Sequence, residues 1–150
     1  MIIRPAQLTD VPRLTALAAQ LGYPTTEEAL RARLEALMPK ADHAVFVAAD
    51  AENAVTGWIS LFVYRPLMRD PLVMVAGLVV DEAYRGQGIG QQLMERAEAW
   101  ARERGCEGIY LKSNIKRTPS HAFYEKLGYR NIKTQFCFFK AINADTEPPV

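Results

Sequence analysis

Three glycines stand within five positions, Gly86, Gly88 and Gly90, between the apolar run VMVAGLVVD and the stretch IGQQLMERAEAW, which has helical periodicity. Glycine weakens both helix and strand, so its repetition here points to a need of the backbone itself. Such a turn lets the main chain approach a ligand closely and adopt positive φ. The first N–H groups of the helix that follows lack intrahelical partners. Those donors, with the positive end of the helix dipole, make a seat for an anion such as a phosphate. The plainer reading is that the glycines serve only a tight strand-to-helix packing; the strand context and Arg85 at the turn favour the anion. A dinucleotide fingerprint G-x-G-x-x-G would need glycine where Gln91 stands, and no Gly-Lys-Ser/Thr phosphate loop is present.

Other reactive side chains are sparse. Cys106 and Cys137 are the only cysteines and His43 and His121 the only histidines, with no spacing that makes a metal site, so no metal is expected. The cysteines read as two buried free thiols, and the start MIIRPAQLTD does not read as a signal peptide, which together give a cytoplasmic expectation. Lys and Arg total 18 against 17 Asp and Glu, a net charge of +1 that argues against broad capture of nucleic acid or of an anionic membrane. A local basic pocket is still open to Arg85, Lys112, Lys116 and Arg117. No apolar run approaches the ~20 residues that cross a bilayer.

Elements must hold that turn in place. MIIRPA reads as a short strand. Thr9 is placed to cap a helix whose Val11, Leu14, Leu17, Ala18 and Leu21 share a face, with Gly22 and Pro24 ending it. In TTEEALRARLEALMP, Thr25 and Glu28 have capping-box spacing, Leu30, Leu34 and Leu37 form one face, and Pro39 stops the helix. HAVFVAAD and AVTGWISLFVY predict a hairpin around Ala51, Glu52 and Asn53, and VMVAGLVVD a further strand. After the glycines, Ile89, Leu93, Ala97 and Trp100 predict a helix closed by Gly105; GIYLKSN is a strand. TPSHAFYEKLGY is a short helix with Thr118 capping, Pro119 at its first position and Gly128 at its end. RNIKTQFCFFKAI predicts one or two closing strands. The fold class is α/β (α+β mixed): a central mixed, mostly antiparallel sheet of six to seven strands flanked by about four helices. Residues 1–142 form one domain in this reading, and 143–150 a frayed tail.

Arg85-Gly86-Gln87-Gly88-Ile89-Gly90 fits the pattern R/Q-x-x-G-x-G/A, set after a strand ending Leu78-Val79-Val80-Asp81. Downstream, Phe123-Tyr124-Glu125-Lys126-Leu127-Gly128-Tyr129 has the form Y-E-K-x-G-F/Y at a helix end. Both motifs, at this spacing, resemble the GNAT superfamily of acyl-CoA-dependent N-acyltransferases, and the order of elements extends the resemblance over nearly the whole chain. It implies acetyl-CoA as acyl-donor cosubstrate. The pyrophosphate would lie on the N–H groups of Arg85, Gly86, Gln87, Gly88, Ile89 and Gly90, with Gln91 extending the first helical turn. The pantetheine arm would lie like an extra strand on main-chain groups of Val79 and Leu78, at the strand end that Val80 closes. Gly77 inside that strand marks either a backbone irregularity of the kind that parts the fourth and fifth strands of such proteins, or a close packing contact.

Direct acetyl transfer needs a neutral amine, a polarised carbonyl and an acid for the thiolate. An alkyl ammonium of pKa near ~10 carries a penalty of roughly 4 kcal/mol on its reactive form at neutral pH. A general base relieves that penalty. The resemblance gives Tyr124 the acid's role, and a backbone N–H near Val79 the oxyanion's. His121 reads as a surface histidine. Relatives often carry a glutamate where this chain has Gly77, and no carboxylate lies between Pro71 and Val80. Either Glu27 or Glu28, which also read as plain capping residues, supplies the base, or the amine reacts from its small neutral fraction. Asn114 and Arg117 either meet pantetheine and a CoA phosphate or cap their own loop.

The S-N-x-K-R stretch at Ser113–Arg117, with His121 and Phe123-Tyr124 after it, is similar to enzymes acting on small amines. Tyr23, Pro24, Tyr64, Met68 and Arg69 suit a small polar amine acceptor, with Arg65 or Arg69 available to a carboxylate or phosphonate. Two alternatives stand beside the small-molecule acetyltransferase: an acyl-CoA-binding module with weak or no catalysis, and a protein or peptide amine acetyltransferase. Phe136, Phe138 and Phe139 belong either to a core or to a homodimer contact.

Overall fold

The computed structural model describes residues 1–149 and divides the chain into two units, Met1–Leu111 and the residues from Lys112 onward. The first unit holds strands β1 (Ile2–Pro5), β2 (His43–Ala49), β3 (Val55–Tyr64), β4 (Leu72–Val80) and β5 (Ile109–Leu111), with helices α1 (Val11–Leu21), α2 (Glu27–Leu37) and α3 (Ile89–Glu103). The sheet order is β1-β2-β3-β4-β5, antiparallel as far as β4, with β4 and β5 parallel. Parallel neighbours cannot be joined by a tight turn, so α3 carries the chain across the sheet between them. This is the mixed, mostly antiparallel α/β architecture that the element order predicts.

Period-two alternation in β3 decides which helix covers which face. Val47 and Val79, with Trp58 beside them, pack with Val11, Leu14 and Leu17 of α1 and Leu34 of α2. On the other face Gly57 lies under Ile89 and Leu93 of α3. The buried stripe of α3 is Ile89, Leu93, Met94, Ala97, Trp100 and Ala101, a 3.6-residue pattern read straight from its sequence.

Helix starts differ from expectation by a residue or two. A 3-10 turn, Leu8–Asp10, precedes α1 in place of a Thr9 cap. It forms because the Asp10 carboxylate accepts from Gln7 N at 2.8 Å and from both Nη atoms of Arg4 at 2.8 and 2.9 Å. Thr26, not Thr25, caps α2, its hydroxyl accepting from Ala29 N at 3.1 Å, while the Thr25 hydroxyl accepts from Arg33 at 3.0 Å. Gly22 ends α1 at φ 100° and Gly105 follows α3 at φ 70°.

Strand number also differs: the sheet has five strands, not six or seven. β5 keeps only Ile109–Leu111 of the expected GIYLKSN, pairing with Val73, Met74 and Val75 and stopping where β4 bulges. The second unit contains α4 (Thr118–Lys126) and no strand among the described residues. Thr118 lies inside α4, with Arg117 at the cap position, and Gly128 follows at φ 93°. The expected closing strands in RNIKTQFCFFKAI are absent: Phe136 and Phe138 are 92% and 94% exposed. Alternation marks which side chains a strand would bury, but the ladder exists only where a neighbouring strand takes its N–H and C=O groups. Within the expected tail, Thr146 N donates to Asn143 O at 3.1 Å, and residue 150 lies outside the described residues.

Candidate active site

The bulge in β4 is the first determinant of the site. Ser60 pairs with Gly77 and Leu61 with Val75, so Ala76 has no partner on β3. A bulge bends its strand and raises the local twist. It falls where β5 ends, at the Val75–Leu111 pair, so β4 from Ala76 to Val80 pairs with β3 alone. The fourth and fifth strands therefore part at this point.

Register decides which main-chain groups face the gap. Asp81 N donates to Thr56 O at 2.8 Å, and antiparallel pairs alternate between bonded and non-bonded. Trp58–Val79 is thus a bonded pair, while Leu78 and Val80 turn their N–H and C=O groups away from β3. The main chain of Val79 is engaged with Trp58, and the outward groups belong to Leu78 and Val80. The Val80 carbonyl already accepts from Arg85 Nε at 3.2 Å.

Gly77 satisfies both readings of it. It stands beside the bulge, and a Cβ there would lie 3.0 and 3.1 Å from Cζ3 and Cη2 of Trp58. The indole is pinned by its Nε1, which donates to Leu14 O at 3.3 Å. The place where a strand carboxylate would project is filled by Trp58.

After β4, Asp81 opens a 3-10 turn, Glu82–Tyr84, and the chain runs through Arg85, Gly86, Gln87 and Gly88 into α3. Gly86 and Gly88 both have φ 79°, and an added Cβ at either would meet nothing within 4 Å. They are needed for backbone conformation, not for packing, which removes the plainer reading of these two glycines. Gln92 N donates to Gly88 O at 3.1 Å and is the first amide of the helix with a partner. Among the described residues, the amides from Gly86 through Gln91 donate to no protein acceptor. Ile89 is buried and anchors the helix start, whereas Arg85, Gln87 and Gln91 are exposed. The Gln91 side chain is turned along α3, donating to Glu95 at 3.0 Å.

Asp81 is buried and held as a paired carboxylate. The Ala83 N–H, then the Arg13 guanidinium at 2.7 Å, hold its carboxyl below the usual carboxylate range against the opposing effect of burial. Glu27 and Glu28 sit exposed in the first turn of α2. In the loop after β3, Arg65 is paired with Asp42 through bonds of 3.2 and 3.3 Å, and Arg69 Nε donates to the neighbouring Asp70 carbonyl at 3.2 Å. Leu67 and Met68 between them are fully exposed.

In the second unit Asn114 caps its own loop: its Oδ1 accepts from Lys116 N and its carbonyl accepts from Arg117 N, both at 2.9 Å. The ring of His121 lies with Nε2 2.9 Å from the same carbonyl, which can only accept, so Nε2 carries the proton and the ring is tied to the loop. Tyr124 is half-buried, in edge contact with Phe123 at 5.1 Å and Tyr129 at 6.1 Å between ring centroids. Burial pushes its phenol above the ordinary tyrosine value, and the positive charge of Arg117 opposes that shift. The phenol is therefore a neutral donor throughout the physiological range. The bulge and the outward main-chain groups were beyond sequence reasoning, although Gly77 gave a partial signal.

Residues 12–129 match the Acetyltransferase (GNAT) family. The chain is 38% identical over 148 residues to glucosamine 6-phosphate N-acetyltransferase 1 of Oryza sativa subsp. japonica, covering 91% of this chain and 86% of that protein. It is 24% identical over 135 residues to an aminoglycoside N(6')-acetyltransferase type 1 of Stenotrophomonas maltophilia, covering 87% of each. Among solved structures it resembles AAC(6')-Iy in complex with the bisubstrate analog CoA-S-monomethyl-acetylneamine, with a TM-score of 0.82, 21% identity and coverage of 93% and 97%. At that identity the likeness is one of fold. The strand-to-turn-to-helix arrangement with its unpartnered amides and the family match over most of the chain lead to one conclusion: this protein belongs to the GNAT acetyltransferase family and is an N-acetyltransferase that takes acetyl-CoA as donor and acts on amines.

Proposed function

We propose that the protein transfers acetyl directly from acetyl-CoA to a primary amine of a small molecule within a ternary complex. The observation that carries this reading is the run of unpartnered amides from Gly86 to Gln91, beside a β4 edge on which Leu78 and Val80 turn their main chain outward. The diphosphate takes those amides, with Arg85 beside them, and the pantetheine amides bond to Leu78 and Val80. The amine nitrogen attacks the thioester carbonyl, its oxygen is met by an outward N–H of β4, the C–S bond breaks, and the ammonium gives up a proton to solvent as the amide forms. Tyr124 gives its phenolic proton to the departing sulfur and later regains one from solvent. Asn114, which holds its own loop through Lys116 N, and Arg117, at the cap position of α4, complete the proposed cofactor contacts.

With Trp58 over Gly77 and Asp81 held as a paired carboxylate, no strand residue is suited to deprotonate the amine. The neutral fraction of the acceptor then reacts. Glu27 and Glu28 remain the acidic side chains of the α2 start. The similarity to enzymes named for glucosamine 6-phosphate and aminoglycosides supports a small amine with polar substituents, and Arg69 supports one with an anionic group. Residues 1–142 act as one acetyltransferase domain in this reading, as the family match from 12 to 129 spans both units. Two free thiols, Cys106 buried and Cys137 exposed, support a reducing cytoplasm, and the exposed Phe136 and Phe138 support a homodimer.

The test is release of free thiol from acetyl-CoA against a panel of hexosamine phosphates, aminoglycosides, aminoalkylphosphonates and peptide amines. A small amine should be turned over, and Tyr124→Phe should lower kcat by about 100-fold with KM little changed. Peptide amines alone as substrates would replace the small molecule. Coenzyme A binding without amine-dependent thiol release would favour an acyl-CoA-binding module, a reading to which the missing strand carboxylate lends weight.

A further inference from the structure

The turn from Arg85 to Gly88 has little packing to hold it, since Gly86 and Gly88 have open space where a side chain would be. Its position is set by polar fastenings at its start. Asp81 Oδ2 accepts from Arg13 Nη2 at 2.7 Å, and the same guanidinium donates twice to Val55 O, at 3.1 and 2.9 Å. Asp81 Oδ1 accepts from Ala83 N at 3.1 Å. Gln20, on the last turn of α1, closes the arrangement with both ends of its amide: Nε2 donates to Asp81 Oδ1 at 3.3 Å, and Oε1 accepts from Glu82 N at 3.0 Å.

The two bonds are not equivalent. Asp81 already has Arg13 and Ala83 as partners, whereas among the described residues the Glu82 N–H donates to the Gln20 amide alone. Glu82 is the first residue of the 3-10 turn that aims the chain into Arg85 and the glycines. Gln20 itself is exposed and lies outside the buried stripe of α1. A residue so placed adds little to the core, yet it fixes the rotation of the segment that carries the anion-binding amides.

We propose that Gln20 is a positioning residue for the cofactor's diphosphate, orienting the turn through Glu82 N–H and Asp81 so that the amides from Gly86 to Gln91 converge. The proposal rests on the reading of that turn as the diphosphate seat. Its consequence is selective: loss of Gln20 weakens ligands that carry the diphosphate and leaves a pantetheine-only ligand untouched.

NMR titration of the full chain with coenzyme A and, separately, with pantetheine reads both affinities without any acceptor. Wild type should bind coenzyme A far more tightly than pantetheine. Gln20→Ala, and Gln20→Met as a variant of equal length without hydrogen bonds, should each raise the Kd for coenzyme A about five- to tenfold, leave that for pantetheine within twofold, and keep the wild-type Tm. An unchanged Kd for coenzyme A, or an equal loss for both ligands, overturns the positioning role while leaving the diphosphate seat intact. A wild type that binds both ligands equally refutes the diphosphate seat itself, and the proposal with it.

Discussion

At the scale of single residues, the proposed chemistry turns on what surrounds Tyr124 and Gly77. Desolvation keeps the Tyr124 phenol protonated, with Arg117 opposing. Its folded pKa lies above the unfolded value near ~10, so the folded state holds the proton longer than the unfolded chain. That contribution to stability is complete below pH ~10 and is lost as pH rises through the folded pKa. Urea unfolding of wild type between pH 9 and 11 should therefore show a steeper fall in stability than Tyr124→Phe. Gly77 yields the opposite kind of prediction. Installing the carboxylate that relatives often carry, by Gly77→Glu, presses a Cβ against an indole pinned by Leu14 O. The variant should lose about 1–3 kcal/mol of stability, read by urea unfolding, rather than gain rate. In wild type kcat/KM should climb with pH toward the acceptor's own pKa, because no strand carboxylate titrates before it.

At the scale of elements, the site is a consequence of one extra residue and two left-handed glycines. Ala76 has no partner on β3, β5 stops at Leu111 opposite Val75, and the remaining edge of β4 has no neighbouring strand. The helix α3 then starts from Gly88 at φ 79°. Gly88→Ala keeps the space but not the conformation, since a Cβ in the left-handed region costs roughly 1–2 kcal/mol. Relaxation of the turn should raise the Kd for coenzyme A by about tenfold, measured by calorimetry, while the buried stripe of α3 keeps the helix folded. Much at this scale was legible in the chain itself. The periodicity of Ile89, Leu93, Ala97 and Trp100 named the buried face of α3, and Gly22 and Gly105 named the helix ends. The α1 start is not legible from local sequence because Asp10 is recruited by Arg4, a residue of another element.

At the scale of the whole molecule, the two units differ in how well their apolar residues are covered. The first has its helices on both faces of a sheet. In the second, Ile132, Phe136, Phe138 and Ile142 are exposed by 62, 92, 94 and 89%. Phenylalanines of about 150–250 Å² each are seldom left in water on a stable monomer. The chain should run as a dimer in light scattering at micromolar concentration, and Phe136→Ser with Phe138→Ser should shift it to monomer without loss of the first unit's helical signal. A monomeric wild type would remove the homodimer from the proposed function.

What the sequence determined by itself is whatever depends on near neighbours: helical stripes, glycine stops, a hairpin, and a glycine turn feeding a helix with unpartnered amides. Local backbone preference and side-chain periodicity act over a few residues, so they can be read without knowing what lies opposite. Tertiary structure alone decided that Leu78 and Val80, not Val79, face the gap, that Trp58 fills the place of a carboxylate, that Asp42 engages Arg65, and that 130–142 forms no strand. Each of those depends on pairing between segments distant in the chain, where a shift of one residue reverses every side chain and every N–H.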